Sequence, residues 1–193
     1  MKKGYIVFIF FFLSLQFAFA GNPFIKNYTI ENGLPTNKII HVFQDSKDFI
    51  WFSTDAGVTR FDGHNFVNFT LSDGFSDNVV MRIKEDSSGR IWFFNLNGTI
   101  NYYFESTIFN EKNAPFLNEL KTNFFIFDFY EDSDSTLYFF NSISEIYTVK
   151  NNQLIDYNIF GFDNIQDIGL YNFSKTPNHE FLLWTARVIY KLT

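Results

Sequence analysis

Asp45-Ser46-Lys47-Asp48-Phe49-Ile50-Trp51-Phe52 is followed, 41 residues on, by Asp86-Ser87-Ser88-Gly89-Arg90-Ile91-Trp92-Phe93. This echo decides the fold. The same step carries Gly33 to Gly74, Asn37 to Asn78, Gly57 to Gly98 and Phe61 to Tyr102. Upstream it carries Asn27-Tyr28-Thr29 to Asn68-Phe69-Thr70. A unit this short cannot bury an apolar face by itself, so copies must stack and share a core.

Inside the unit, β-rich runs alternate with polar turns. Residues 39–44, 49–54, 58–61 and 65–70 predict four short strands in the first copy, with Asp62-Gly63 as a tight hairpin signal. Residues 79–84, 90–94, 99–103 and 107–109 repeat the order. A degenerate third copy offers 124–130, 136–140, 145–149 and 153–157, with Tyr138 where Trp51 and Trp92 stood. Its step, from Trp92 to Tyr138, is 46 residues. A fourth copy begins near Ile165, with 181–185 and 188–192 as its second and third strands. Residues 116–123 allow one short helical turn at most.

Four antiparallel strands in a unit of 41–46 residues is the size of a β-propeller blade. A β-sandwich requires no repeats, and a β-helix needs shorter, more regular rungs. The expected fold is all-β: a partial β-propeller of about four blades spanning 21–193, with units near 33–73, 74–117, 118–160 and 161–193. The match of 25–33 to 66–74 predicts that the folded chain opens with the outer strand of a blade whose first three strands come last. Sharing strands in this way would remove exposed sheet edges.

Residues 1–20 read as a secretory signal: Lys2 and Lys3, an apolar run from Tyr5 to Leu15, then Ala18-Phe19-Ala20 ahead of a cut before Gly21. The run is short for a membrane span. The 193-residue chain carries a formal charge of −6 and no basic stripe, so nucleic acid is not an expected partner. It has no cysteine, which excludes disulfides and thiolate chemistry. Of its 29 phenylalanines six lie in that leader, and the other 23 read as core material.

The repeated residues read as structural positions: Asp45, Trp51, Gly57, Asp86, Trp92 and Gly98. Asp45 and Asp86 open a tight turn, where a carboxylate accepts from backbone amides two or three residues on. Calcium is the sharper alternative, since Asp45 and Asp48 lie close, as do Asp132 and Asp134. Gly89 in place of Asp48 argues against it, and no metal is expected. Trp51 and Trp92 read as wedges between blades. Gly57 and Gly98 read as hairpin glycines at positive φ. His41, His64 and His179 have no partner at metal-ligand spacing and no defensible catalytic triad, so no catalytic residue and no cofactor is expected. The sequons at Asn27, Asn68, Asn97 and Asn172 are explained by Asn-rich turns. No ligand-binding residue is legible.

Gly33-Leu34-Pro35-Thr36-Asn37, Asp45-Ser46, Ile50-Trp51-Phe52-Ser53-Thr54 and Gly57-Val58-Thr59-Arg60-Phe61-Asp62-Gly63 together resemble the two-component regulator propeller repeat. The likeness covers roughly residues 24–104. It implies a periplasmic sensor region at the front of a membrane-bound hybrid histidine kinase or related regulator of the Bacteroidetes type. Such regions usually form large propellers, some of them responding to oligosaccharides and acting as dimers. Kinase activity would reside outside these 193 residues, which hold no phosphoacceptor His box, ATP-binding motif or second hydrophobic span. The expected function is therefore a non-catalytic extracytoplasmic sensor, with a small molecule or glycan as partner and homodimerisation through the full-length sensor. Membrane contact would come only through the leader or a downstream span, with the parent protein anchored in the inner membrane. A structural protein-interaction propeller is the first alternative. A sialidase-like hydrolase is the second, drawing on Arg60, Arg82, Arg90 and Arg187.

Overall fold

The computed structural model describes residues 25–121, 123, 125–141, 145–157, 170–176, 180–185 and 189–192. The leader, His179, Arg187 and the start of the fourth repeat near Ile165 lie outside the described residues.

Four antiparallel sheets follow one another along the chain. The first is β1 (Ile39–Gln44), β2 (Ile50–Thr54), β3 (Val58–Phe61) and β4 (Phe66–Phe69). The second is β5 (Val80–Glu85), β6 (Ile91–Asn95), β7 (Ile100–Phe104) and β8 (Thr107–Phe109). The third is β9 (Ile126–Glu131), β10 (Leu137–Asn141), β11 (Ile146–Lys150) and β12 (Gln153–Tyr157). The fourth holds β13 (Leu170–Lys175), β14 (Phe181–Thr185) and β15 (Ile189–Leu192). Each sheet is a meander whose strands pair in chain order. The first strands β1, β5, β9 and β13 lie beside one another from sheet to sheet. They line the inner edge, as in a β-propeller. A single helical turn, α1 (Phe116–Glu119), interrupts the series.

The entry to each of the first two blades is built alike. Thr29 and Thr70 cap one turn of 3-10 helix, with Asn32 and Asp73 closing the capping box. Asn37 and Asn78 accept from the backbone N–H of Ile30 and Leu71, at 3.0 and 3.3 Å. These bonds explain why Thr, Asn and Gly recur in step.

Three sequence expectations need correcting. Residues 25–29 form no strand. Their counterpart, residues 66–69 of β4, is held by β3, whereas no described strand pairs with 25–29. Tyr28 instead packs edge-on against Phe61 and Phe66, at 5.0 and 5.5 Å between centroids. The 41-residue step also fails after β6. The β2–β3 link is residues 55–57, and the β6–β7 link is the longer 96–99. Trp51 therefore faces Arg60 while Trp92 faces Tyr102, and the counterpart of Phe61 is Tyr103, not Tyr102. The Asp62-Gly63 hairpin link runs over 62–65, one residue longer than the 62–64 left between the expected strands. The Asp62 carboxylate accepts from the N–H groups of Asn65 and His64 there, which lowers its pKa to about 2.

Because each middle sheet is covered on both sides, its strands are buried on both faces, and β6 is buried throughout. Two clusters fill the gaps. One joins Trp51, Phe75, Ile83 and Phe93 between the first and second blades. The other joins Trp92, Phe94, Phe129 and Phe139 between the second and third.

Candidate functional site

The recurring aspartates organise each blade from its first hairpin. Asp45 Oδ1 accepts from the N–H of Lys47 and Phe49, both at 2.9 Å, and Oδ2 accepts from the indole N–H of Trp51 at 2.7 Å. Asp86 Oδ1 accepts from Ser88 and Arg90 at 3.0 Å. Its Oδ2 accepts from the Trp92 indole at 2.8 Å and from Arg90 Nε at 2.5 Å. The amides are thus two and four residues on, and the indole contact is an addition that the sequence reading lacks. Three hydrogen bonds on Asp45 and four on Asp86 make each buried carboxylate an anchor that ties the turn to the indole. Among the described residues no three His, Asp or Glu side chains gather as metal ligands.

The same turn persists in the third blade. Asp45, Asp86 and Asp132 each accept a backbone N–H from the residue three on, namely Asp48, Gly89 and Ser135. Those three residues share positive φ, at 67°, 80° and 61°. Asp48 and Gly89 therefore exchange for a conformational reason. Gly57 and Gly98 likewise have φ of 121° and 82°.

Trp51 and Trp92 are wholly buried and point into the next blade. Trp51 meets Phe93 and Tyr103 at 5.5 and 5.2 Å, and Trp92 meets Phe129 and Phe139 at 6.0 and 5.1 Å. Burying each indole stabilises by roughly 5 kcal/mol as an upper bound. A cation covers each ring. In the first blade it is Arg60, on β3, over Phe49 and Trp51. In the second it is Arg90, at the Phe49 position, over Trp92 and Tyr102, with Tyr102 at the Arg60 position. Cation and ring have exchanged strands while the sandwich is kept. Arg60 and Arg90 thus belong to separate interfaces, so the described arginines do not form the cluster a sialidase-like site needs.

A second link joins blades at their edges. Ser46 donates its N–H and hydroxyl to Glu85, at 2.7 and 2.6 Å. Ser87 donates the same two groups to Glu131, with the N–H bond at 2.7 Å. Each clasp reaches from a hairpin tip to the last residue of the next inner strand.

With the repeated residues committed to packing, the chemistry left over lies on the inner strands. His41, Arg82 and Asp128 occupy one position in three successive blades, at steps of 41 and 46. Asp128 is buried and pairs with Arg82 at 2.6 Å and Lys84 at 2.9 Å. Lys84 also donates to the Phe129 carbonyl at 2.6 Å. His41 Nδ1 accepts from the Ile83 N–H at 3.3 Å. Burial, reinforced by Arg82 and opposed by Asp128, lowers the His41 pKa below its ordinary value of 6.5. The seam therefore holds two partly exposed cations on one buried carboxylate, next to a neutral imidazole. It offers a net positive patch at the axis of an acidic protein, able to orient a polar ligand. It brings together no nucleophile with a general base. Only the positional recurrence of His41, Arg82 and Asp128 could have disclosed it from sequence.

Fold and repeated anchors define a β-propeller whose blades are stapled through an Asp–Trp pair. The family model described as Two component regulator propeller matches residues 33–56. None of the curated proteins matches the chain in sequence. Among solved structures it is similar to the extracellular domain of a putative hybrid two component system from B. thetaiotaomicron. The TM-score is 0.64 at 18% identity, over 90% of this chain and 26% of that one. The extracellular domain of a putative one component system from the same organism gives 0.61 at 16%, over 89% and 26%. A catalytically inactive virginiamycin B lyase from Staphylococcus aureus, with quinupristin, gives 0.56 at 16%, over 83% and 57%. The chain thus spans about a quarter of the length of the first two.

Proposed function

We propose that the chain is a non-catalytic, extracytoplasmic sensor module of a two-component signalling protein, and that its ligand is an oligosaccharide. The observation that carries this reading is the two-component regulator propeller repeat at residues 33–56, set on a propeller like that of extracellular two-component domains. The reading is supported by geometry: the repeated polar residues anchor blades, which leaves His41, Arg82 and Lys84 at the inner strands as groups that could orient a polar ligand. Signalling would follow from a ligand that favours one arrangement of the sensor over another, since only differential affinity shifts such an equilibrium. Calorimetric titration of the longer parent ectodomain against a panel of neutral and acidic oligosaccharides tests the proposal. Heat of binding from one glycan class is expected. Silence across all classes, with a dimer that forms regardless, would replace the sensor with a structural scaffold.

A further inference from the structure

The link between the second and third blades, 110–125, is longer than the link 70–79 between the first and second, and the extra chain builds a groove. The link from β8 to β9 carries α1, whose Phe116 and Leu117 are buried between the second and third blades together with Leu120. This insertion is tied down at several points. Ser76 Oγ donates to Glu111 at 2.6 Å, and Asn110 Nδ2 donates to the Gly74 carbonyl at 2.7 Å. Asn113 accepts from the Asn110 N–H and donates to the Ile108 carbonyl, at 2.7 and 3.0 Å. Facing it is the β11–β12 hairpin tip, Asn151-Asn152, with φ of 51° and 58°, the two-residue turn that matches strand twist.

Between them lies a groove of about 600 Å³, well within the size of small-molecule sites. Its floor is apolar: Tyr102 stacks flat on Phe109 at 4.6 Å, beside Phe116 and Leu154. Its two sides differ in chemistry. On one, the Glu119 carboxylate offers acceptors. On the other, Arg90 donates to Asn152 Oδ1 at 2.7 Å. That bond fixes the Asn152 amide and leaves its NH₂ donors for the groove. Among the described residues no lysine or arginine lines the space, so an anionic ligand would meet Glu119 uncompensated.

We propose that this groove is a binding site for a neutral, hydroxyl-rich ligand of one or two sugar rings. Donors on one side, acceptors on the other and a flat aromatic floor suit a ring with equatorial hydroxyls and an apolar C–H face. The inference rests on the sensor reading above and adds to it a place and a charge class. The test is amide-resolved NMR on the full chain, titrated with cellobiose, maltose, xylobiose and digalacturonate. Shifts concentrated at residues 109, 119 and 152–154, from a neutral disaccharide and not from digalacturonate, are the expected result. Glu119→Ala and Asn152→Gly should each weaken that binding at least tenfold while leaving the remaining spectrum in place. Shifts confined to residues 41, 82 and 84, or a preference for digalacturonate, would overturn the groove and leave the sensor reading standing. No shift with any saccharide would remove the oligosaccharide reading and the groove with it.

Discussion

Asp86→Asn should cost about twice as much stability as the matching change one blade earlier, Asp45→Asn. The reason lies in how many donors share Oδ2. In Asp86 that oxygen accepts from both Trp92 Nε1 and Arg90 Nε, at 2.8 and 2.5 Å. In Asp45 it accepts from Trp51 Nε1 at 2.7 Å, with Phe49 standing where Arg90 stands. An asparagine keeps one acceptor oxygen for the two turn amides and turns an NH₂ toward the donors. Each buried donor stripped of its acceptor costs about 1–3 kcal/mol. The first blade loses one such bond, giving roughly 1–3 kcal/mol, and the second loses two, giving about 3–5 kcal/mol. Flipping the amide only moves the conflict to the turn. Urea unfolding of the full chain, followed by tryptophan fluorescence and circular dichroism, reads both values. Arg90→Phe, which copies the first blade, should bring the cost of Asp86→Asn down to that of Asp45→Asn, a coupling a double-mutant cycle isolates. Equal losses for Asp45→Asn and Asp86→Asn, or losses below about 1 kcal/mol for both, would refute the two-donor argument.

Three further outcomes are expected. Gly57→Ala should destabilise by more than about 3 kcal/mol, since a Cβ there would lie 2.4 Å from the Phe69 carbonyl oxygen at φ of 121°; Gly63→Ala, at φ of 94° with open space around it, should cost only about 1–2 kcal/mol, and thermal melts of the pair separate clash from conformation. The His41 pKa is lowered on folding, so the unfolded chain binds the extra proton: its contribution is present above the ordinary value of 6.5 and declines as pH falls below it, and a His41→Gln variant should lose that part of the pH slope in denaturation curves taken from pH 5 to 8. Ser87→Ala and Glu131→Gln should show a coupling of about 0.5–1.5 kcal/mol that shrinks in high salt, and strictly additive losses in a four-variant cycle would mean that the clasp contributes nothing.

The strands were legible because their signals are local. β1, β3, β8, β12 and β14 carry the bounds that alternation and turn residues gave them, and the others shift by one or two residues, apart from β13, for which the sequence reading gave no bounds. Blade stacking was legible because Trp51 and Trp92 repeat within matching neighbours. The one-residue slip beyond β6 was hidden, because Gly98 keeps its spacing while the added residue lengthens the link beside it. The missing N-terminal strand was hidden for another reason: residues 25–29 carry a strand's sequence, but a strand also requires a partner that sequence does not place. The axial seam repeats a position, not a residue type, so His41, Arg82 and Asp128 look unrelated until the sheets are stacked. The indole-to-carboxylate bond needs the hairpin to bring residues six apart within reach, and spacing alone does not announce that.

The serine–glutamate clasp gives the stack a direction. Each one ties the first hairpin of a sheet to the end of its successor's inner strand, with the hydroxyl on the earlier sheet and the carboxylate on the later. The clasp between the second and third sheets lies on the same pair of inner strands, β5 and β9, that Arg82 and Lys84 join through Asp128. Gln44 ends β1 as an amide where Glu85 and Glu131 end β5 and β9 as carboxylates, so the charged row begins one blade later than the row of hairpin serines.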